Sequence, residues 1–440
     1  MLYKGNKLYE VKILQIHVIK RGETLWKIAQ LYSIPLTQLI QANKIPNPEK
    51  LVIGQSLVIP IWGRYHWVKS DENLYEISQK YDISVQEIVR INGITNPDEI
   101  AIGTRLYIPQ KKRKLIDVGA YIDPSITAGR SVKEVGKIGN NLTFLNVFSY
   151  HINSDGTLTS LNDQKIINAA YQKSIVPLMV LTNFGNGTFS KEIASKLLND
   201  KVLQDKVLHE AISIMKQKGY LGLDFDFEYL GAENKEKYNQ FLRKASAELK
   251  KNEYFISSAL APKMRENQVG VLYEGHDYET HGNIVDFIFF MTYEWGWSGG
   301  PPMPVSPINK VRNVMEYAIS KVPKNKIMMG IPLYGYDWTL PYVNGEKWAK
   351  SISPQQAIML ATKYNANIQY DIVAQAPYFK YVDKLKKEHI VWFEDARSIQ
   401  AKLNFVKELG INGFFYWVMG NDFPQNWLLV QDNFIVRKRV

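Results

Sequence analysis

Three carboxylates at alternate positions, Asp224, Asp226 and Glu228, stand in the run Gly222-Leu223-Asp224-Phe225-Asp226-Phe227-Glu228. Read as a strand, the run puts the three acids on one face and Leu223, Phe225 and Phe227 on the other. The apolar face has to pack, so the acids belong to a structured element rather than to a solvent loop. Like charges a few ångströms apart repel and burial disfavours each ionised form, so the trio is expected to share a proton at neutral pH. A carboxylic acid held protonated near pH 7 can protonate a poor leaving group such as a sugar oxygen. Glu228 is the one closest to the C-terminal end of the strand. The plainer alternative is a half-exposed strand whose polar face meets water; the aromatic flanks and the surrounding pattern favour the chemical reading.

That surrounding pattern begins at Leu115. Apolar strands are expected at Ile116–Tyr121, Leu142–Tyr150, Val176–Leu181, Gly222–Glu228, Tyr254–Ala259, Phe287–Tyr293, Lys326–Pro332, Ile390–Phe393 and Gly413–Trp417. Helical stretches such as Ser190–Lys218, Lys235–Lys250, Ile308–Lys321 and Ser398–Leu409 lie between them. Apolar strands alternating with helices imply parallel strands covered by helices, which a (β/α)8 TIM barrel satisfies best. Nine candidate strands are one too many, so one is assigned to an insertion. Gly335–Glu388 is too long for an ordinary connection and is expected to form a small α+β insertion at the mouth. In such a barrel the chemistry sits at the C-terminal strand ends, where Glu228, Tyr293, Tyr334 and Trp417 fall.

The first hundred residues repeat at an offset of 49: His17 aligns with His66, Leu25 with Leu74, Asn43 with Asn92, Asn47-Pro48 with Asn96-Pro97, and Ile59-Pro60 with Ile108-Pro109. Each copy reads as an opening strand, a polar turn, two short helices and a closing strand. Pro35 lies near the start of the second helix in one copy, and Ser84-x-x-Glu87 reads as a capping box in the other. The unit is resolved into domains at 1–62 and 63–110, followed by the barrel at 111–440. Units this small are better suited to binding than to catalysis.

The chain has 440 residues, enough for several domains and a large core. It has no Cys, which excludes disulfides, thiolate metal sites and a Cys nucleophile. The seven His are scattered without ligand spacing, so no metal is inferred, and no phosphate-binding loop or other cofactor signature is present. The formal charge is +11; residues 1–114 hold 17 Lys+Arg against 10 Asp+Glu, so the N-terminal quarter carries most of the excess. A basic quarter fits a polyanionic partner, whether nucleic acid, anionic membrane or carboxylate-rich cell-wall polymer, and charge alone does not choose. The densest run, Lys111-Lys112-Arg113-Lys114, reads as a solvated linker. No stretch is long and apolar enough for a membrane span, and Met1–Lys20 lacks the uninterrupted apolar segment of a conventional secretory signal.

The repeat resembles the LysM module, a βααβ fold that recognises glycans containing N-acetylglucosamine. Val18-x-x-Arg21-Gly22-Glu23-Thr24-Leu25-Trp26-x-Ile28-Ala29, Ala42-Asn43 and Gly54-Gln55-x-Leu57-x-Ile59-Pro60 carry the likeness. In the second copy Ser70-Asp71-Glu72-Asn73 replaces the glycine turn. The resemblance implies that sugar lies between the turn at Gly22-Glu23-Thr24 and the loop at Asn47-Pro48, with Asn73 and Asn96 in the corresponding places of copy two.

The acidic run resembles the D-G-x-D-x-D-x-E signature of glycoside hydrolase family 18, with Leu221 where the first Asp is common. Met291-Thr292-Tyr293 resembles its M-x-Y, and Gly413-Phe414-Phe415-Tyr416-Trp417 its last strand. The resemblance implies substrate-assisted hydrolysis, in which the 2-acetamido oxygen of the sugar attacks its own anomeric carbon. Glu228 is then acid and base, Asp226 orients the acetamido N–H, Asp224 tunes Asp226, Tyr293 donates to the acetamido oxygen and Trp417 forms the sugar floor. Glu294, where the family often has Asp, either reshapes the sugar subsite or bonds a neighbouring loop, and Trp295 and Tyr334 either stack on sugar faces or serve packing. Asn183 either reaches the sugar or forms a turn.

LysM units ahead of such a barrel, together with Met291-Thr292-Tyr293-Glu294-Trp295-Gly296-Trp297, resemble the spore cortex-lytic N-acetylglucosaminidases of endospore-forming bacteria. The implied partner is peptidoglycan, acted on by a monomer in the coat and cortex region of the spore, with no nucleic acid. A chitinase and a non-catalytic glycan-binding protein are the alternatives.

Overall fold

The computed structural model describes residues 15–61, 63–109 and 113–440. Most of the Met1–Lys20 stretch and of the Gln110–Lys114 linker lies outside the described residues. Among those described, eight parallel strands close a barrel: Lys114–Ile122, Phe144–His151, Val176–Thr182, Gly222–Asp226, Phe255–Leu260, Phe287–Phe290, Ile327–Pro332 and Gly413–Trp417. The last pairs back onto the first, from Gly413 opposite Asp117 to Tyr416 opposite Ala120. Spatial order follows chain order, as right-handed βαβ crossovers require.

Both faces of each strand are covered, so the alternation separates two cores rather than core from water. Leu223 and Phe225 enter the layer between barrel and helices, where Phe225 meets Phe241 of the helix Lys235–Lys250 edge-on at 5.7 Å. Burying each such side chain contributes about 1.5–3 kcal/mol. The barrel interior is filled by another set, including Phe144, Phe287, Phe289 and Phe415. Phe415 needs the missing side chain of Gly119, where an added Cβ would lie 2.1 Å from its ring.

Some boundaries differ from expectation. The acid-bearing strand stops at Asp226, beyond which Phe227 O and the Glu228 backbone take side-chain partners; the Phe287 strand stops at Phe290, where after one more bond to its neighbour, Met291 N to Leu260 O, the chain turns with Thr292 N on Phe290 O and Tyr293 N on Met291 O. The stretch Ser190–Lys218 is two helices, Lys191–Asn199 and Lys201–Lys218; Asp200 leaves the helical conformation and its carboxylate accepts from the N–H groups of Val202 and Leu203. Ile390–Phe393 is not in the barrel. It belongs to Glu388–Trp392, in a five-stranded antiparallel sheet with Gly335–Thr339, Lys350–Ile352, Gln369–Asp371 and Ala376–Val382. The insertion therefore extends past Glu388, with the helix Pro354–Tyr364 packed on its sheet.

The two repeats fold alike and explain their matched residues. Asn43, buried at the end of the second helix, donates to Leu39 O and Val58 O and accepts from Val58 N at 2.8–3.0 Å. Asn92 does the same for Ile88 O, Tyr107 O and Tyr107 N. His17 bridges Glu23 at 2.9 Å and the Tyr32 hydroxyl at 3.0 Å; His66 bridges Glu72 and Tyr81, both at 2.8 Å. The repeated residues thus tie helix to closing strand and opening strand to turn. Ser84 accepts from Glu87 N, but the reciprocal capping box forms instead between Asn73 and Glu76.

Candidate active site

Asp224 and Asp226 point into the barrel from one strand. Asp224 is fully buried, with Tyr121 donating to Oδ2 at 2.5 Å and Ser257 donating to Oδ1 at 2.6 Å. Burial raises its pKa and these donors partly offset the rise. Asp226, the next layer up, is pushed well above the carboxylate range by burial, by Glu228 and by Asp224. Its Oδ1 is buried with no hydrogen-bond partner among the described residues. An acceptor left unpaired at this depth costs free energy unless it is protonated or meets a donor from the pocket.

Glu228 lies beyond the strand and is fixed through its backbone. Asn183 accepts from Glu228 N at 2.9 Å and donates to Glu228 O at 2.8 Å, while His276 Nε2 donates to Phe227 O at 2.8 Å. The His276 tautomer is set because Nδ1 accepts from Ala261 N at 2.9 Å. Burial, with a smaller effect from Lys263, holds that imidazole neutral with a pKa lowered to about 4. The Glu228 carboxyl is raised to about 7, chiefly by burial and then by the charge of Glu294. Glu228 is only partly buried and lines the cavity.

These acids face a cavity of about 560 Å³ walled by Tyr121, Phe148, Tyr293, Trp295, Tyr334 and Trp417. Trp417 packs against Phe148 at 5.0 Å and Tyr121 at 5.4 Å, which fixes the plane of its indole. Glu294 closes one side, accepting from Tyr334 and, at 2.9 Å, from Tyr336. Tyr229 and Glu294, each adjoining a pocket acid or phenol, are non-glycine residues in the left-handed region at φ 56° and 65°. Such conformations cost of order 1–3 kcal/mol each and gather at functional sites.

The sequence-derived residues divide accordingly. Asp226, Glu228, Tyr293, Glu294, Trp295, Tyr334 and Trp417 line one cavity, and Asp224 supports it from below. Asn183 does not fit the expected sugar contact: its amide is committed to the backbone of Glu228 and to Ser190 O. Tyr121, Ser257 and His276 escaped sequence reasoning, because a Tyr or Ser on an apolar strand and a scattered His carry no spacing signal. In the repeats, Gly22, Thr24 and Asn47 lie exposed on the turn and loop named for them. Thr24 and Asn73 cap helices, and Asn47 and Asn96 accept from the N–H two residues on. Among the described residues no group of three or more His, Asp or Glu could hold a metal ion, and no helix is long and apolar enough to cross a membrane.

An acid of raised proton affinity beside a sugar-sized aromatic cavity, at the C-terminal ends of barrel strands, defines a glycoside hydrolase. The chain belongs to glycosyl hydrolases family 18, whose model matches residues 117–422, and it carries LysM domains at 17–60 and 66–109. It is 50% identical over 431 residues to the cortical fragment-lytic enzyme of Bacillus subtilis (strain 168), covering 97% of this chain and 99% of that one. The crystal structure of the Bacillus megaterium QM B1551 spore cortex-lytic enzyme SleL matches with a TM-score of 0.89 at 42% identity, covering 98% of this chain and 100% of that one. The corresponding Bacillus cereus structure matches with a TM-score of 0.86 at 40% identity, covering 96% and 98%.

Proposed function

We propose that the protein is a peptidoglycan N-acetylglucosaminidase of the bacterial spore, acting as a monomer in the coat and cortex region. It hydrolyses the β-1,4 bond on the reducing side of N-acetylglucosamine with retention. Glu228 protonates the leaving oxygen while the 2-acetamido oxygen of the same sugar attacks the anomeric carbon to give an oxazolinium ion. Glu228, then ionised, takes a proton from the water that opens it. Asp226 accepts from the acetamido N–H, Tyr293 donates to the acetamido oxygen, Asp224 sustains Asp226, and the sugar rests on Trp417. Tyr334, Glu294 and Trp295 complete the sugar contacts, and Asn183 positions Glu228.

The observation that carries this reading is the buried, unpartnered Oδ1 of Asp226 beside a Glu228 raised to about 7. One group lacks a donor and the other holds a proton near neutrality, which is what an acetamido sugar and a sugar leaving group require. Attack within one bound sugar also draws on proximity, worth roughly 7–11 kcal/mol in favourable cases. The LysM units, 1–62 and 63–110, hold the glycan through Gly22, Thr24 and Asn47 and through Asn73 and Asn96, ahead of a catalytic domain at 111–440. The relatives that match nearly the whole chain are named for the spore cortex, whereas three sequence relatives named chitinase match it at 22–27% identity over 47–59% of its length, which supports peptidoglycan over chitin. Incubation with purified spore peptidoglycan beside a chitin oligomer tests this: soluble fragments from peptidoglycan are expected, and release from chitin alone would reassign the enzyme as a chitinase.

A further inference from the structure

The two LysM units share a fold but not a surface. In the first, the loop between second helix and closing strand has Asn47 exposed on one side and Val52–Gly54 pressed into the catalytic body on the other. Val52 is buried among Ile352, Ile358 and Ile368 of the insertion. Ile368 N donates to Ile53 O at 2.9 Å, Arg397 Nη2 to Gly54 O at 3.1 Å, and Gln355 Nε2 to Lys44 O at 2.7 Å. Lys44 Nζ also reaches both carboxylate oxygens of Asp422, at 2.7 and 2.8 Å. Asp422 lies in the connection that follows the last barrel strand, and the second helix and closing strand of the first unit pack on the neighbouring barrel helices Ala396–Leu409 and Pro424–Asn433.

Gly54 makes the closest approach. A Cβ added there would lie 1.8 Å from Ile368 O, whereas at Gly103, its counterpart in the second unit, nothing lies within 4 Å. Both have nearly the same positive φ, 84° and 82°, so the difference is the neighbour and not the turn. At the second unit's equivalents of Lys44, Val52 and Ile53 stand Gly93, Ala101 and Ile102, the last 71% exposed. The second unit rests instead on the first, with Arg105 donating to Leu31 O and Ser33 Oγ and Trp67 edge-on to Tyr32.

We infer that the first LysM unit is a fixed exosite of the catalytic body, holding a glycan strand containing N-acetylglucosamine at a set position relative to the cavity. A strand long enough to reach both is cut faster than a short one, because the second contact is intramolecular. The exosite's role rests on the glycan-binding reading proposed above; the docked geometry does not.

The chain has no Cys, so spin labels at Lys27→Cys and Lys310→Cys report the distance between unit and barrel without background. The full-length parent is expected to give one narrow distance distribution, kept by Gly103→Ala and broadened by Gly54→Ala. Gln355→Ala with Asp422→Ala loosens the dock from the barrel side without altering the LysM sequence and is expected to broaden it too. In the unlabelled versions of both loosened variants, the ratio of kcat/KM on long peptidoglycan strands to that on short fragments is expected to fall about tenfold, with short-fragment rates retained. A broad distribution in the parent overturns the docking. A narrow parent distribution with the long-to-short ratio unmoved by either loosened variant overturns the exosite. If the narrow distribution stands but neither substrate is cut, the proposed function fails and the exosite with it, while the dock remains.

Discussion

Asn183 grips both backbone polar groups of Glu228, accepting from its N–H at 2.9 Å and donating to its carbonyl at 2.8 Å from a neighbouring strand end. The acid is thereby held by its main chain, leaving the carboxyl free to face the cavity. Removing one side chain takes that partner from three backbone groups, Glu228 N, Glu228 O and Ser190 O, at a cost of about 1–3 kcal/mol for each left unsatisfied. Asn183→Ala is therefore expected to lower the melting temperature and to reduce kcat more than it changes KM. Michaelis kinetics beside thermal unfolding check this; a rise in KM alone would make Asn183 a sugar ligand.

The pH profile follows from the raised pKa of Glu228. The acid must carry its proton to act on the leaving oxygen, so kcat/KM is expected to fall as pH rises through about 7. Linkage gives a second readout. A carboxyl whose folded pKa is above its ordinary value of 4.5 contributes stability at low pH and loses it as pH rises through about 7. Glu228→Gln cannot ionise, so its melting temperature should gain on that of the parent between those two values. An unchanged difference across the window would show that Glu228 is not raised.

Glu294 raises the pKa of Glu228 by like charge while being held by Tyr334 and Tyr336. Neutralising it removes that repulsion, so Glu294→Gln is expected to move the alkaline limb of the rate profile to lower pH. A limb displaced upward, or left in place, would remove the electrostatic link.

In the repeats, Asn43 is almost fully buried and Asn92 is only partly so, although each makes the same three bonds. Asn43→Ala is expected to destabilise by about 1–3 kcal/mol, with a smaller loss for Asn92→Ala. Denaturant unfolding of the two full-length variants checks the order.

What the sequence made legible was whatever has a period or a spacing. Asp224 and Asp226 alternate with Leu223 and Phe225, and a strand in a barrel sorts them to opposite faces as expected. The 49-residue repeat showed Asn43 and His17 as matched positions, though not that both are internal ties. The strand ends were misplaced because hydrophobic alternation continues through Phe227 and Glu228 after the ladder has stopped; side chains distant in sequence, Asn183 and His276, take the backbone there. Tyr121 and Ser257 were invisible because their role depends on which strands are neighbours. The dock of the first LysM unit was equally hidden, since Gly54 and Gly103 look alike until Ile368 is seen beside one of them.

Mass spectrometry of the fragments released from purified spore peptidoglycan by the parent and by Glu228→Gln tests the central claim most directly. The parent is expected to yield fragments ending in reducing N-acetylglucosamine and the variant essentially none. Fragments ending instead in reducing muramic acid, or undiminished release by Glu228→Gln, would contradict it.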